Sequence, residues 1–233
     1  MKFIVYFFFV LLLSSDCFSN QVLYPEYYWL GFVDQNEKEF GTNRNPYRLI
    51  LSDHIHEKDS LEMNHITKYC SVKFKRAKYI RHCSNCHQWF DSKEVNKDWT
   101  FGKYYDFTEF EMDSNSFKWY TPKFKSDFVL NANEFQKISF ITGLFLRCGI
   151  PDSANYSLTL IESPGKAECV LSVLKSLECI NVTMTLQNNT SMDGIIVNEI
   201  ATIVFKPSAK IMTYFGEVVE IRRRQLSLTP HKK

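Results

Sequence analysis

Six cysteines, Cys70, Cys83, Cys86, Cys148, Cys169 and Cys179, stand behind a short apolar leader, and that even number sets the terms for any fold this chain adopts. The leader runs from Lys2 through the apolar stretch Phe3 to Leu13 to Ser14, Ser15 and Asp16, the order of a secretory signal peptide. As a helix the stretch covers about 16 Å, against roughly 30 Å of bilayer hydrocarbon, so it is too short to anchor the chain. Small residues at Cys17 and Ser19 predict cleavage before Asn20, which removes the seventh cysteine. In an oxidising compartment the remaining six are expected to form three disulfides. Three lie in each half, so full pairing forces a bridge across the middle. The expectation is therefore a signal peptide over 1–19 and a single secreted β-rich domain over 20–233, with a sub-boundary near 115. No later stretch is apolar for long enough to span a membrane, and the C-terminus is not a hydrophobic tail.

The second half reads as short runs rich in β-branched and aromatic residues, separated by turn residues. Strands are expected at Phe117 to Tyr120, Phe128 to Leu130, Lys137 to Leu146, Ser157 to Ile161, Cys169 to Leu174, Ile180 to Leu186, Ile195 to Phe205, Lys210 to Tyr214 and Glu217 to Arg222. Pro151-Asp152, Ser163-Pro164-Gly165, Asp193-Gly194 and Lys206-Pro207-Ser208 supply the turns. The predicted fold class is mainly β: a disulfide-stapled antiparallel β-sandwich, jelly-roll-like, with an aromatic, loop-rich N-terminal half. No long amphipathic helix and no internal repeat is read from the residues.

Four sequons, at Asn155, Asn181, Asn188 and Asn189, are candidate glycosylation sites. In the runs around Asn155 and Asn181, apolar residues alternate with polar ones and the sequon falls on the polar face. The stretch Lys68 to Arg81 has no acid, and Lys73, Lys75, Arg76, Lys78 and Arg81 within it make a candidate anion- or heparin-binding patch. The acid-rich segment Gln88 to Asn115 is the competing explanation, because it can neutralise the patch. On a strand His54 and His56 point the same way, and His65 completes a candidate Zn²⁺ shell. Surface histidines are the bland alternative. Cys83-Ser-Asn-Cys86-His87 matches a haem-attachment pattern, but an oxidising compartment assigns those cysteines to disulfides. No G-x-S-x-G, H-E-x-x-H or P-loop occurs. Glu109 and Glu111 share one strand face, a geometry open to carboxylate catalysis and equally to solvated charge. Arg222-Arg223-Arg224 is read as the end of the last strand in solvent, with a dibasic processing site as the alternative.

These readings favour a secreted glycoprotein acting as a non-enzymatic extracellular binding module, for a sulfated glycan or a protein partner. They imply no cofactor, no nucleic-acid partner and no membrane span. The alternatives are a secreted metal-dependent or carboxylate-based hydrolase and a structural matrix component.

Overall fold

Residues 133–148 decide the architecture, and they are a helix rather than a strand. The Asn133 side chain accepts the backbone N–H of Gln136 at 3.0 Å, while Gln136 Oε1 accepts that of Asn133 at 2.9 Å, a reciprocal capping box. The helix that follows, Glu134–Cys148, buries Ile138, Phe140, Ile141, Leu144, Phe145 and Leu146 in the hydrophobic core formed by the described residues. Each such side chain contributes about 1.5–3 kcal/mol on leaving water.

The computed structural model describes residues 22–33, 40–42, 46–48, 54–56, 60–70, 86–88, 100–111, 118–190 and 196–228. In chain order the elements are α1 (Pro25–Phe32), β1 (Phe40–Thr42), a 3₁₀ turn (Pro46–Arg48), β2 (His54–His56), α2 (Ser60–Cys70), β3 (Cys86–Gln88), α3 (Phe101–Tyr104), β4 (Tyr105–Glu111), β5 (Lys118–Phe124) and α4 (Ser126–Leu130). There follow α5 (Glu134–Cys148), β6 (Gly149–Pro151), β7 (Tyr156–Ile161), α6 (Pro164–Ser176), β8 (Ile180–Thr190), β9 (Ile196–Lys206) and α7 (Ala209–Leu228). The strands form a three-stranded sheet in the order β1-β5-β4, a pair β2-β3, and a four-stranded sheet in the order β6-β7-β9-β8, all antiparallel. No described helix is long and apolar enough to cross a membrane.

The mainly β, disulfide-stapled sandwich is overturned: the protein is mixed α/β and its sheets do not close on one another as a sandwich. Strands expected at 157–161, 180–186 and 195–205 do lie in β7, β8 and β9, and that at 117–120 enters β5. Phe128 to Leu130, Lys137 to Leu146, Cys169 to Leu174, Lys210 to Tyr214 and Glu217 to Arg222 are helical. In α7 the buried residues are Ile211, Phe215, Val218 and Val219, a helical period that the β-branched content obscures. Ser163-Pro164-Gly165, expected as a turn, places Pro164 in the first turn of α6, where its missing N–H costs nothing.

The expected disulfides are absent among the described residues. Cys70, Cys169 and Cys179 are free, buried thiols, and Cys148 Sγ donates to Leu144 O at 3.2 Å. They sit on different elements: Cys70 Sγ donates to Pro25 O at 3.5 Å, and Cys169 Sγ to Ser126 O at 3.9 Å. Burial suits them as small apolar groups. The side chains of Cys83 and Cys86, the leader over 1–19 and the boundary near 115 lie outside the described residues.

Among the described residues the two halves repeat one plan. Leaving aside the 3₁₀ turn, β2, β3, α3 and β6, helix, strand, helix, hairpin, helix is the order in α1-β1-α2-β4β5-α4 and again in α5-β7-α6-β8β9-α7, and the pairing order β1-β5-β4 is repeated as β7-β9-β8. The halves meet where α1 crosses α5. A Cβ built on Gly31 falls against Phe140 O and 2.9 Å from Leu144 N; one built on Gly143 falls against Tyr28 O and 3.0 Å from Phe32 N. Each glycine thus touches the residue three before and the residue one after its counterpart, which is the signature of a two-fold crossing. The sequence carries little else to announce it, beyond glycine at the same place in both helices.

Candidate functional site

Each sheet turns one face to the core and the other away from it. In the second sheet Tyr156, Leu158, Leu160, Ala201, Ile203 and Phe205 are buried, so strand alternation sends their neighbours outward. The register lines these neighbours up in three rungs across β7, β9 and β8: Ser157-Val204-Thr183, Thr159-Thr202-Thr185 and Ile161-Ile200-Gln187. Thr183, Thr185 and Gln187 are exposed and the rung residues on β9 are half-buried. No rung carries a charge.

The first sheet repeats the plan. Tyr105, Tyr120 and Phe124 are buried, and the outward rungs are Asp106-Lys123 and Thr108-Thr121. Thr121 stands three residues before the core residue Phe124, as Thr202 stands three before Phe205, so the threonine pairs Thr108-Thr121 and Thr185-Thr202 occupy equivalent places in the two halves. Exposed Lys123 on the first sheet and Lys206 at the end of β9 add cations to these faces.

The ends of the crossed helices are held by charge from the opposite half. Lys166, third residue of α6 and 2% exposed, donates from Nζ to Val33 O at 2.7 Å, Leu30 O at 3.1 Å and Gly31 O at 3.4 Å, the carbonyl end of α1. Glu62, third residue of α2, receives Arg222 Nη1 at 2.9 Å and lies 3.9 Å from Arg147 near the end of α5. Arg222 Nε also donates to Gly149 O at 2.8 Å. Arg222 is therefore a half-buried clasp inside a helix, which corrects its reading as a strand end in solvent.

A second polar group lies between α2 and α7. The buried Tyr28 hydroxyl is 2.6 Å from His65 Nδ1, and His65 Nε2 is 3.6 Å from Glu217 Oε2. Glu217 also accepts from Lys68 Nζ and Tyr69 OH, both at 3.3 Å. Burial pushes the His65 pKa down to about 4, against an upward pull from Glu217, while Lys68 adds to the lowering. His65 is thus a neutral core histidine above an open cleft of about 470 Å³ lined by Leu61, Asn64, Lys68, Glu217, Glu220, Ile221 and Arg224.

Of the other sequence-predicted residues, Lys73, Lys75, Arg76, Lys78 and Arg81 lie outside the described residues, as do the side chains of His54 and His56, whose backbones form β2 opposite β3. Asn155 is half-buried in the turn before β7. Asn181, exposed, has φ 55° beside a bulge in β8, and Asn188 is exposed on the same strand. Glu109 pairs with Lys118 at 2.6 Å. The outward threonine pairs were not singled out as a site; the alternation around Thr183 and Thr185 was the signal that could have found them.

No family model and no curated protein matches the chain. Solved structures of the homing endonuclease I-DmoI align with it. Its complex with DNA and Mn covers 84% of this chain and 96% of that one at 12% identity and a TM-score of 0.36. Mesophilic variants from the same endonuclease cover 84% and 95% at 11% identity and a TM-score of 0.37, and the complex with DNA and Ca covers 82% and 86% at 12% identity and 0.35. At these TM-scores the alignments assign no activity to this chain. The expected non-enzymatic binding module for a glycan or protein, whose supporting sandwich is absent, is overturned. The expectation of no nucleic-acid partner is withdrawn; the complexes with DNA are those of the endonuclease, and binding by this chain is taken up as a proposal.

Proposed function

We propose that this protein binds duplex DNA along the outer faces of its two sheets. The observation that carries the reading is the equivalent placement of Thr108-Thr121 and Thr185-Thr202 on outward faces of two halves related by the Gly31/Gly143 crossing. A protein with two-fold related faces suits a duplex, whose strands are themselves related by two-fold axes. The strands β8 and β9 run for 11 residues each, about 36 Å, and a two-stranded ribbon fits the roughly 12 Å width of the major groove. Threonine and glutamine offer the donors and acceptors that meet base edges and phosphate oxygens, while Lys123 and Lys206 supply charge for the backbone.

The test is fluorescence anisotropy of the full chain with labelled duplex DNA over a salt series. Binding is expected to weaken steeply as salt rises, and Thr185→Asp together with Thr202→Asp is expected to weaken it at least about tenfold through phosphate repulsion. Absence of binding at low salt, or binding indifferent to these outward substitutions in a protein that keeps its wild-type Tm, would dispose of the reading.

A further inference from the structure

Resting on the duplex-binding reading, we infer that the second sheet recognises the C5-methyl groups of pyrimidines in the major groove, so that this half of the molecule prefers thymine-rich DNA. The three outward rungs of β7, β9 and β8 hold no Lys, Arg, Asp or Glu, and the cation on this face, Lys206, stands beyond them at the end of β9, so these rungs bring no charge to phosphates. Groups that do not hold the backbone are left to face the base edges. Of the nine rung residues, all but Ser157 and Gln187 are Thr, Val or Ile, each presenting a methyl group beside or instead of a hydroxyl.

The groove floor has a matching chemistry. Thymine alone among the four bases carries a methyl group there, and apolar contact with it from threonine or other methyl-bearing side chains separates A·T from G·C. The middle rung, Thr159-Thr202-Thr185, places three side chains in one row, with Val204 on one side and Ile161 and Ile200 on the other. Gln187, at the end of the last rung, adds an amide of the type that pairs with adenine N6 and N7. The first half differs: its outward face carries the Asp106-Lys123 rung next to Thr108-Thr121, so charge stands where the second half has Thr183-Val204. The two half-sites are accordingly read by different means, methyl contact in one and charged contact in the other.

The experiment compares binding of the full chain to four duplexes of equal length: poly(dA-dT), poly(dA-dU), poly(dG-dC) and poly(dG-5-methyl-dC). Charge and length are the same in each pair, and only the C5-methyl group changes. Affinity is expected to fall about fourfold for every methyl group withdrawn from contact on going from thymine to uracil, and to rise on methylating cytosine. Thr185→Ser with Thr202→Ser, which keeps both hydroxyls and removes two protein methyl groups, is expected to shrink both differences while the far-UV spectrum and Tm stay close to wild type. Equal affinity for poly(dA-dT) and poly(dA-dU), with clear binding to both, overturns the methyl reading and leaves duplex binding standing. No binding to any of the four at low salt overturns both.

Discussion

Gly31 and Gly143 lie back to back at the crossing of α1 and α5, each pressed on the backbone of the other helix, so neither position has room for a methyl group. Built onto Gly31, a Cβ collides with Phe140 O; built onto Gly143, it collides with Tyr28 O. Backbone atoms in a fully packed helix pair cannot step aside as the tip of a side chain can, so Gly31→Ala and Gly143→Ala are each expected to destabilise by about 3 kcal/mol or more. Gly216 is the internal control. It lies in α7 with nothing within 4 Å of a built Cβ, and Gly216→Ala is expected to stabilise by about 0.5–1 kcal/mol through helix propensity. Urea unfolding of the three variants decides it; equal effects at Gly31 and Gly216 would remove the tight crossing.

Lys166 is a buried charge that ties the two halves together. Its ammonium meets the carbonyls of Leu30, Gly31 and Val33, where the dipole of α1 concentrates negative charge. Lys166→Met keeps most of the aliphatic stem and removes the donors, leaving buried carbonyls to lose charge-assisted hydrogen bonds. A loss of roughly 2–4 kcal/mol is expected in denaturant unfolding. An unchanged midpoint would mean that these carbonyls are satisfied without the lysine.

The second hairpin was legible in the sequence; the first hairpin and the helices were not. Ile180 to Leu186 and Ile195 to Phe205 alternate cleanly, because one face of β8 and β9 is buried and the other is turned outward, and this contrast is what a two-residue period records. In α5 the contrast is missing. Ile138 to Leu146 is buried around the helix, between α1 and the second sheet, so its apolar residues show no period and their β-branching suggested a strand. The decisive local signal, Asn133 three residues before Gln136, is a capping box that composition does not reveal. The repeated plan escaped for a related reason: a two-fold crossing requires glycine at one contact point in each helix and tolerates different side chains elsewhere. Thr159, Thr183 and Thr185 read as a polar face but not as a site, and Thr108, Thr121 and Thr202 did not stand out, since only the strand register sets Thr185 beside Thr202 and Thr108 beside Thr121.

The cysteines provide a direct chemical check on the correction to the fold. Burial raises the thiol pKa of Cys70 well above its ordinary value and pushes that of Cys169 up to about 12, so neither forms the thiolate that alkylating reagents attack. Cys70 and Cys169 are expected to resist iodoacetamide in the native protein at pH 8 and to react fully in denaturant without prior reduction. Peptide mass spectrometry reads both states. Failure to alkylate in denaturant until a reductant is added would restore the disulfides.

Stability below neutral pH is expected to follow His65. Its ring is buried against the Tyr28 hydroxyl, and burial lowers its pKa from 6.5 to about 4 despite the opposing pull of Glu217. In the unfolded chain the imidazole protonates near pH 6.5, whereas in the native protein it stays neutral until about pH 4. Between those values the unfolded state binds the extra proton, so stability is full above pH 6.5 and drains away as the pH falls toward 4. The size is about 3 kcal/mol at most, with the steepest part above the range in which ordinary carboxylates titrate. Glu217→Gln removes the group that raises the pKa, so it is expected to carry the His65 titration to lower pH. Unfolding free energies from pH 7.5 to 5, together with an NMR titration of the His65 ring, test the assignment. A His65 pKa at or above 6.5, or a flat stability profile across this interval, would show that the imidazole is not held neutral in the core.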